Sequence, residues 1–174
     1  MTKTFRIRSL SSEEALGAAP ALAAVLLDCV QGGASVSFMA GMTLEEAEAF
    51  WRRQAEAGDG RTIIVAEDDE GVFGVVQVVP AWAPNQPHHA EVLKLLVHRR
   101  GRQRGAAEAL MRATEDTARQ MRRSLLTLDT VTGSVADDLY DKLGWTRVGV
   151  IPDYALWPDG GLCDATFFYK AVHP

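Results

Sequence analysis

The six residues Arg102, Gln103, Arg104, Gly105, Ala106 and Ala107 restrict what this chain can fold into more than any other stretch, because of what flanks them. An apolar, strand-like run at 92–97 precedes them, and helical periodicity from Gly105 to about Met121 follows. A glycine-containing turn between a strand and a helix lets successive backbone N–H groups converge on an anion. Those donors lack partners within the first helical turn, and the helix dipole favours negative charge beside them by about 0.3–1 kcal/mol. The sequence has neither Gly-x-Gly-x-x-Gly nor Gly-Lys-Ser/Thr, so no dinucleotide or triphosphate cradle fits the spacing. The turn predicts a phosphate site without naming the phosphate. Arg99, Arg100, Arg102 and Arg104 crowd it, either as a solvated charge run or as guanidinium groups for a polyanion such as a nucleotide pyrophosphate or a sugar phosphate.

The chain as a whole carries a net charge of −5, which argues against a surface built for nucleic acid or an anionic membrane. Any anion site must therefore be local. A length of 174 residues suits one domain, taken as residues 1–174, with a core of its own. Cys29 and Cys163 have no Cys-x-x-Cys partner, which points to two buried thiols in a reduced, cytoplasmic setting. Residues 15–27 are apolar, but they contain Pro20 and are too short to cross a bilayer, so a core helix is expected there. No targeting segment is evident.

In chain order, residues 5–8 alternate as a half-exposed strand, and Ser11, Ser12, Glu13 and Glu14 offer cap chemistry for a helical turn. Pro20, at a first helical position, is expected to start a longer helix over 20–31, which Gly32 and Gly33 stop. Residues 32–42 form a loop with an apolar payload. Thr43 and Glu46 make a capping box for a helix over 44–57. Strands at 61–67 and 72–79 flank the turn Asp68-Asp69-Glu70-Gly71, residues 80–87 break the ladder with two prolines, and a strand follows at 90–97. After the long helix come a strand at 125–130 and a short helix at 134–143 that Ser134 caps and Gly144 ends. Strands at 145–150 and 163–172 enclose a loop over 152–162. The expected fold class is α/β, with a mixed, mostly antiparallel central sheet of about seven strands and four or so flanking helices.

The pattern Arg102-x-x-Gly105-x-Ala107, between a strand and a helix carrying Leu110 and Met111, resembles the (Arg/Gln)-x-x-Gly-x-(Gly/Ala) signature of the GNAT acyltransferase superfamily. Gln103 stands where many members have a second glycine. The resemblance spans nearly the whole chain and implies the GNAT fold, in which the strands either side of the cradle helix splay and the pantetheine arm of acetyl-coenzyme A lies between them. It implies coenzyme contacts at Leu95, Leu96, Val97, Arg102, Gln103, Arg104, Gly105, Ala106, Ala107, Ser134 and Tyr140. Four further stretches resemble the tabtoxin resistance acetyltransferases within that superfamily. They are residues 32–40, the run Ala90-Glu91-Val92-x-Lys94-Leu95, Leu128-Asp129-Thr130 with Gly133 to Ala136 after it, and residues 146–149.

Acetyl transfer to an amine needs a deprotonated amine and a proton for the departing thiolate. An alkyl amine with pKa near 10.4 costs about 4–5 kcal/mol to deprotonate at neutral pH, against about 1 kcal/mol for an α-amino group. Ala136-x-x-x-Tyr140-x-x-x-Gly144-Trp145 resembles the superfamily's segment whose tyrosine serves the thiolate, and Gly133 replaces its usual asparagine, a role Ser134 is placed to take. Tyr140 also fits a core position on its helix. Asp129 and Glu91, at strand ends beside the cleft, are candidate bases or, alternatively, structural carboxylates paired with Lys94 or a backbone cap, and Asp129 is the more telling of the two. Ser35, Phe38, Met39 and Trp82, with Glu91 and Asp129, are the expected acceptor walls; Phe38 and Met39 fit a core plug as well. His88, His89 and Glu91 lack further ligands at credible spacing, so no metal is expected. The expected activity is acetyl-CoA-dependent N-acetylation of a small, amino-acid-like amine, antibiotic or toxin, by direct transfer and with a homodimer as kinship suggests. Peptide or protein acetylation and a non-catalytic acetyl-CoA sensor are the alternatives.

Overall fold

Alternating apolar strands dominate the middle of the chain, and in the computed structural model, which describes residues 4–173, they assemble one sheet. Its seven strands are β1 (Arg6–Leu10), β2 (Thr62–Asp68), β3 (Gly71–Pro80), β4 (His89–Val97), β5 (Leu125–Val131), β6 (Thr146–Leu156) and β7 (Leu162–Ala171), in the order β1-β2-β3-β4-β5-β7-β6. All neighbours pair antiparallel except β4 and β5, which run parallel. That one parallel pair spans only His89↔Leu125, Ala90↔Leu126 and Glu91↔Thr127. Beyond those rungs the strands part, while β4 stays on β3 and β5 stays on β7.

The parting has a local cause in β4. Val75 faces Leu96 and Gln77 faces Leu93, so β4 carries one residue more than β3 over this stretch. Lys94 lies in the extra turn with φ of 55°. A bulge of this kind bends its strand and turns the edge away from its neighbour.

Helices α1 (Ser12–Gln31) and α2 (Leu44–Ala55) cover one face, and α3 (Ala106–Gln120) and α4 (Val135–Lys142) the other. Strand residues alternate between the two cores: Ile63, Val65 and Val75 meet Leu22, Leu26 and Trp51, whereas Ile64, Ala66 and Val76 meet Phe73, Leu110 and Met111. Each fully buried large apolar side chain contributes about 1.5–3 kcal/mol. Capping boxes Ser11/Glu14 and Thr43/Glu46 start α1 and α2, as their sequences predict.

Two expectations are corrected. Pro20 does not begin a helix; α1 runs unbroken from its Ser11 cap, with Pro20 inside it. A mid-helix proline costs about 3 kcal/mol through a lost hydrogen bond and a crowded carbonyl. Pro20 faces solvent, where water can serve the freed carbonyl, and the buried stripe through Ala15, Ala19, Leu22, Leu26 and Val30 outweighs the loss. Residues 152–156, expected as loop, extend β6. A bulge between Ile151 and Ala155 holds Pro152 and Asp153 out of the ladder, and Ala155 and Leu156 then pair with Cys163 and Leu162.

Candidate active site

The cradle begins where β4 ends. A single 3-10 turn (Arg99–Gly101) leads into residues 102–105, and Gln103 and Gly105 both take left-handed backbone, with φ of 59° and 79°. Gly105 is the residue before α3, and a Cβ there would meet nothing within 4 Å, so the space in front of the turn is open. Inside α3 the backbone ladder starts with Ala109 N–H on the Gly105 carbonyl at 3.0 Å. The N–H groups of Ala106, Ala107 and Glu108 precede that ladder and point out of the helix end, as a phosphate requires.

The arginines do something neither sequence reading describes. Arg100 and Arg104 bind opposite oxygens of Asp68 at 2.9 and 2.8 Å, and the Asp68 side chain is only 2% exposed. Arg99 binds Asp28 through its backbone N–H at 2.9 Å and through Nε, and Arg102 lies 3.8 Å from the same carboxylate. Two aspartates, on α1 and β2, therefore tether the turn from both sides. Arg102 keeps half its surface in solvent and anchors Nε on the Val97 carbonyl at 3.1 Å.

These pairs make a pH prediction. Hydrogen bonds from Arg104 and Arg100 hold the Asp68 carboxyl below its ordinary pKa, against the opposing effect of burial. Burial is the largest influence on Asp28 and raises its pKa, but the Arg99 backbone and side-chain donors outweigh it. A carboxyl with a lowered folded pKa stabilises the fold above its unfolded pKa, and that contribution disappears as pH falls through the folded value. Thermal unfolding followed from pH 7 to pH 2 is expected to show a melting temperature that holds down to about pH 4 and falls steeply below it.

Across the gap, Glu91 sits on the last β4–β5 rung, and Asp129 lies two residues further along β5 on the same face, past the point where β4 departs. Asp129 is open to solvent along the gap, yet enough protein surrounds it that desolvation raises its carboxyl pKa. The Lys94 charge opposes that shift and Glu91 adds to it. Burial lowers the pKa of Lys94, and Asp129 acts against that. Tyr140, on α4, is 4% exposed with its ring against Trp145 at 6.0 Å and Phe168 at 5.6 Å. Burial first and the Asp129 charge second push its phenol well above the ordinary value. Its hydroxyl has no hydrogen-bond partner among the described residues. Asp129 is thus the charge that links these groups: it acts on Lys94 and Tyr140, and Glu91 acts on it.

The loop at 32–42, expected to wall the acceptor side, is held at two points. Ser35 Oγ donates to the Leu156 carbonyl at 2.7 Å, and the Ala40 N–H to that of Pro158 at 2.9 Å, which pins the loop to the ends of β6 and its turn. Phe38 packs edge-on against Phe50 at 5.1 Å, so it is wall and core together, while Met39 is 46% exposed. Trp82 stands 93% exposed on the β3–β4 connection and forms no packed wall. Ser134 caps α4 by accepting from the Asp137 N–H at 3.1 Å, with Thr130 Oγ1 3.3 Å from its hydroxyl.

The sequence profile of the acetyltransferase (GNAT) family matches residues 34–145, from the acceptor loop through the cradle to Trp145. The chain belongs to the GNAT family. Its fold is shared with solved structures across almost the full length of both chains. A ribosomal-protein-alanine N-acetyltransferase from Brucella melitensis superposes with a TM-score of 0.78 at 21% identity, over 95% of this chain and 99% of that one. The yncA protein of Salmonella typhimurium, solved with its cofactor acetyl-CoA, gives 0.79 at 17%, over 98% and 95%. A structure described as a phosphinothricin N-acetyltransferase candidate gives 0.80 at 18%, over 98% and 100%.

A GNAT enzyme uses acetyl-CoA for N-acetylation, and this chain has the features that cofactor needs. The outward N–H groups at the start of α3 suit the pyrophosphate, and the unpaired edges beyond Glu91 and Thr127 leave a slot for an extended arm. Of the residues named from sequence, Glu91 and Asp129 stand at the edge of that slot, and Tyr140 lies near enough for the Asp129 charge to raise its pKa. Lys94, whose charge acts on Asp129, is not among the site residues named from sequence. Its signal was a lone ammonium inside the apolar run Val92-Leu93-Lys94-Leu95-Leu96. No group of three or more His, Cys, Asp or Glu side chains suited to a metal occurs among the described residues. No helix among them is long and apolar enough to cross a membrane.

Proposed function

We propose that this GNAT enzyme acetylates the amine of a small, amino-acid-like acceptor by direct transfer, with Asp129 as general base and Tyr140 as the donor to the departing sulfur. The observation that carries this is the position of Asp129, whose carboxylate acts on both Tyr140 and Lys94 where β4 and β5 part. Acetyl-CoA supplies an acyl group activated as a thioester. On the acceptor side, Asp129 takes the ammonium proton, the freed lone pair forms the new C–N bond as the C–S bond breaks, the sulfur takes the Tyr140 proton, and the second proton that the nitrogen sheds on becoming an amide restores the phenol. An aspartate with a raised pKa is a better base for this than an ordinary one, since it lies closer to the amine. Both cysteines are buried, and burial raises the Cys29 pKa further, so an acyl-cysteine intermediate has no reactive thiolate.

The stretches at 32–40 and around Asp129 that resemble the tabtoxin resistance acetyltransferases support an amino-acid-like toxin or antibiotic as acceptor. The test is release of free coenzyme A from acetyl-CoA with amino acids, β-lactam amino acids, aminoglycosides, polyamines and short peptides. A clear small-amine hit upholds the proposal. Turnover with peptides alone replaces it with protein acetylation, and coenzyme binding without turnover replaces it with a sensor.

The proposal includes a homodimer through β6. That edge strand is exposed along nearly its whole length and carries Val148, Val150, Ile151 and Tyr154, beside Leu162 on β7, each 45–67% exposed. Unpaired apolar edges of this length invite a second strand. Sedimentation is expected to give a dimer at micromolar concentration and Ile151→Asp a monomer; a monomeric parent protein would remove the dimer.

A further inference from the structure

Lys94 has no ordinary structural explanation. It sits in the β4 bulge with a left-handed backbone, and its Nζ crosses to the acceptor loop to donate to Ser37 Oγ at 3.0 Å. Ser37 is left-handed too, with φ of 78°. Such backbone is uncommon outside glycine and persists where the surroundings enforce it, often at ligand sites. Two such residues, 57 positions apart, hold each other here.

The ammonium has three donors, and among the described residues only Ser37 takes one. The Phe38 ring lies 6.0 Å away, and no carboxylate of a described residue comes within the 4.0 Å of an ion pair. Asp129 balances the charge only from a distance. A half-buried cation held short of its counter-ion is costly unless something else completes it. The gap thus offers two carboxylates, Glu91 and Asp129, and one incompletely bound ammonium, which is the charge complement of an amino-acid zwitterion.

We propose that Lys94 binds the anionic group, a carboxylate or its isostere, that the acceptor carries next to its amine, with the Ser37 hydroxyl as the neighbouring contact. The acceptor's ammonium then faces Asp129 while its anion faces Lys94, so an acceptor that carries both groups is favoured over one that carries the amine alone. This rests on the reading above of a small, amino-acid-like acceptor and names the residue that would hold that acceptor's anion.

The test compares amino acids with their own amides, which keep the amine and lose the anion. Glycine, L-alanine, L-phenylalanine and any amino acid that scores in the coenzyme A release panel are assayed beside their amides. For Lys94→Met, the ratio of kcat/KM between acid and amide is expected to fall at least about tenfold, while Lys94→Arg retains most of it. If Lys94 merely tunes Asp129, both acceptors slow together and the ratio stays unchanged, which overturns the proposal and leaves the small-amine activity intact. Should no acceptor turn over, the small-amine reading fails, and 15Nζ NMR of the coenzyme A complex decides the Lys94 proposal separately. A Lys94 signal that moves with the amino acids and not with their amides, while Lys142 and Lys170 stay still, upholds it; no response to either overturns it.

Discussion

Tyr140→Phe is expected to lower kcat by about 10²–10³-fold while leaving the affinity for acetyl-CoA nearly unchanged. The ring stays packed on Trp145 and Phe168, and the hydroxyl has no protein partner to orphan among the described residues, so the melting temperature should hardly move. What disappears, on the mechanism proposed, is a neutral donor for the developing thiolate. The same buried site that keeps the phenol neutral also makes it a reluctant acid, because a phenol pushed above its ordinary value does not readily yield a proton to a thiolate whose conjugate thiol has a pKa near 8.5. Asp129 resolves part of this conflict. Its negative charge is the second cause of the high phenol pKa, and that charge vanishes when Asp129 takes the acceptor's proton. Tyr140 therefore becomes a stronger donor at the stage when negative charge collects on sulfur. Steady-state kinetics of Tyr140→Phe with coenzyme binding measured in parallel checks this; an unchanged kcat would take Tyr140 out of the mechanism.

What the sequence made legible was the part of the fold that local chemistry decides. The capping boxes at Ser11 and Thr43, the hairpin at 68–71 and the Ser134 cap all depend on residues within four positions of one another, and each stands where the sequence puts it. Asp129 stands out because a carboxylate at an apolar strand end is costly to bury unless used or paired, whereas Tyr140 is singled out only by the Ala136 to Trp145 segment that resembles the GNAT family's. The errors came where distant partners decide. Nothing near Pro20 tells that it faces solvent on a helix whose other side is buried. The arginines of the cradle look free until folding brings up Asp28, 71 positions from Arg99, and Asp68, 36 positions from Arg104. Lys94 was visible as a misfit in its strand, but its partner Ser37 lies in a loop without periodicity.

Asp129→Asn is expected to separate activity from stability, with opposite signs. In the proposed role of general base, Asp129 must be ionised to accept the acceptor's proton, so its loss should lower kcat/KM by about 10²–10⁴-fold for an alkyl amine. An α-amino acceptor, already nearer its own pKa, should lose less. For the parent enzyme, the acid limb of kcat/KM should lie above the range near 3.9 where an ordinary aspartate titrates, because desolvation raises this one. In Asp129→Asn that limb should be absent. The stability effect follows from the same shift. A carboxyl whose folded pKa exceeds its unfolded value binds its proton more tightly when folded, so its contribution is present at low pH and lost as pH rises through the folded pKa. At neutral pH the ionised carboxylate therefore works against the fold, and the neutral amide removes that penalty. Asp129→Asn should melt at or above the temperature of the parent at pH 7, the trade expected of a group kept for chemistry rather than for packing. A variant that melts well below the parent and keeps its turnover would make Asp129 a structural counter-ion of Lys94 and pass the role of base to Glu91.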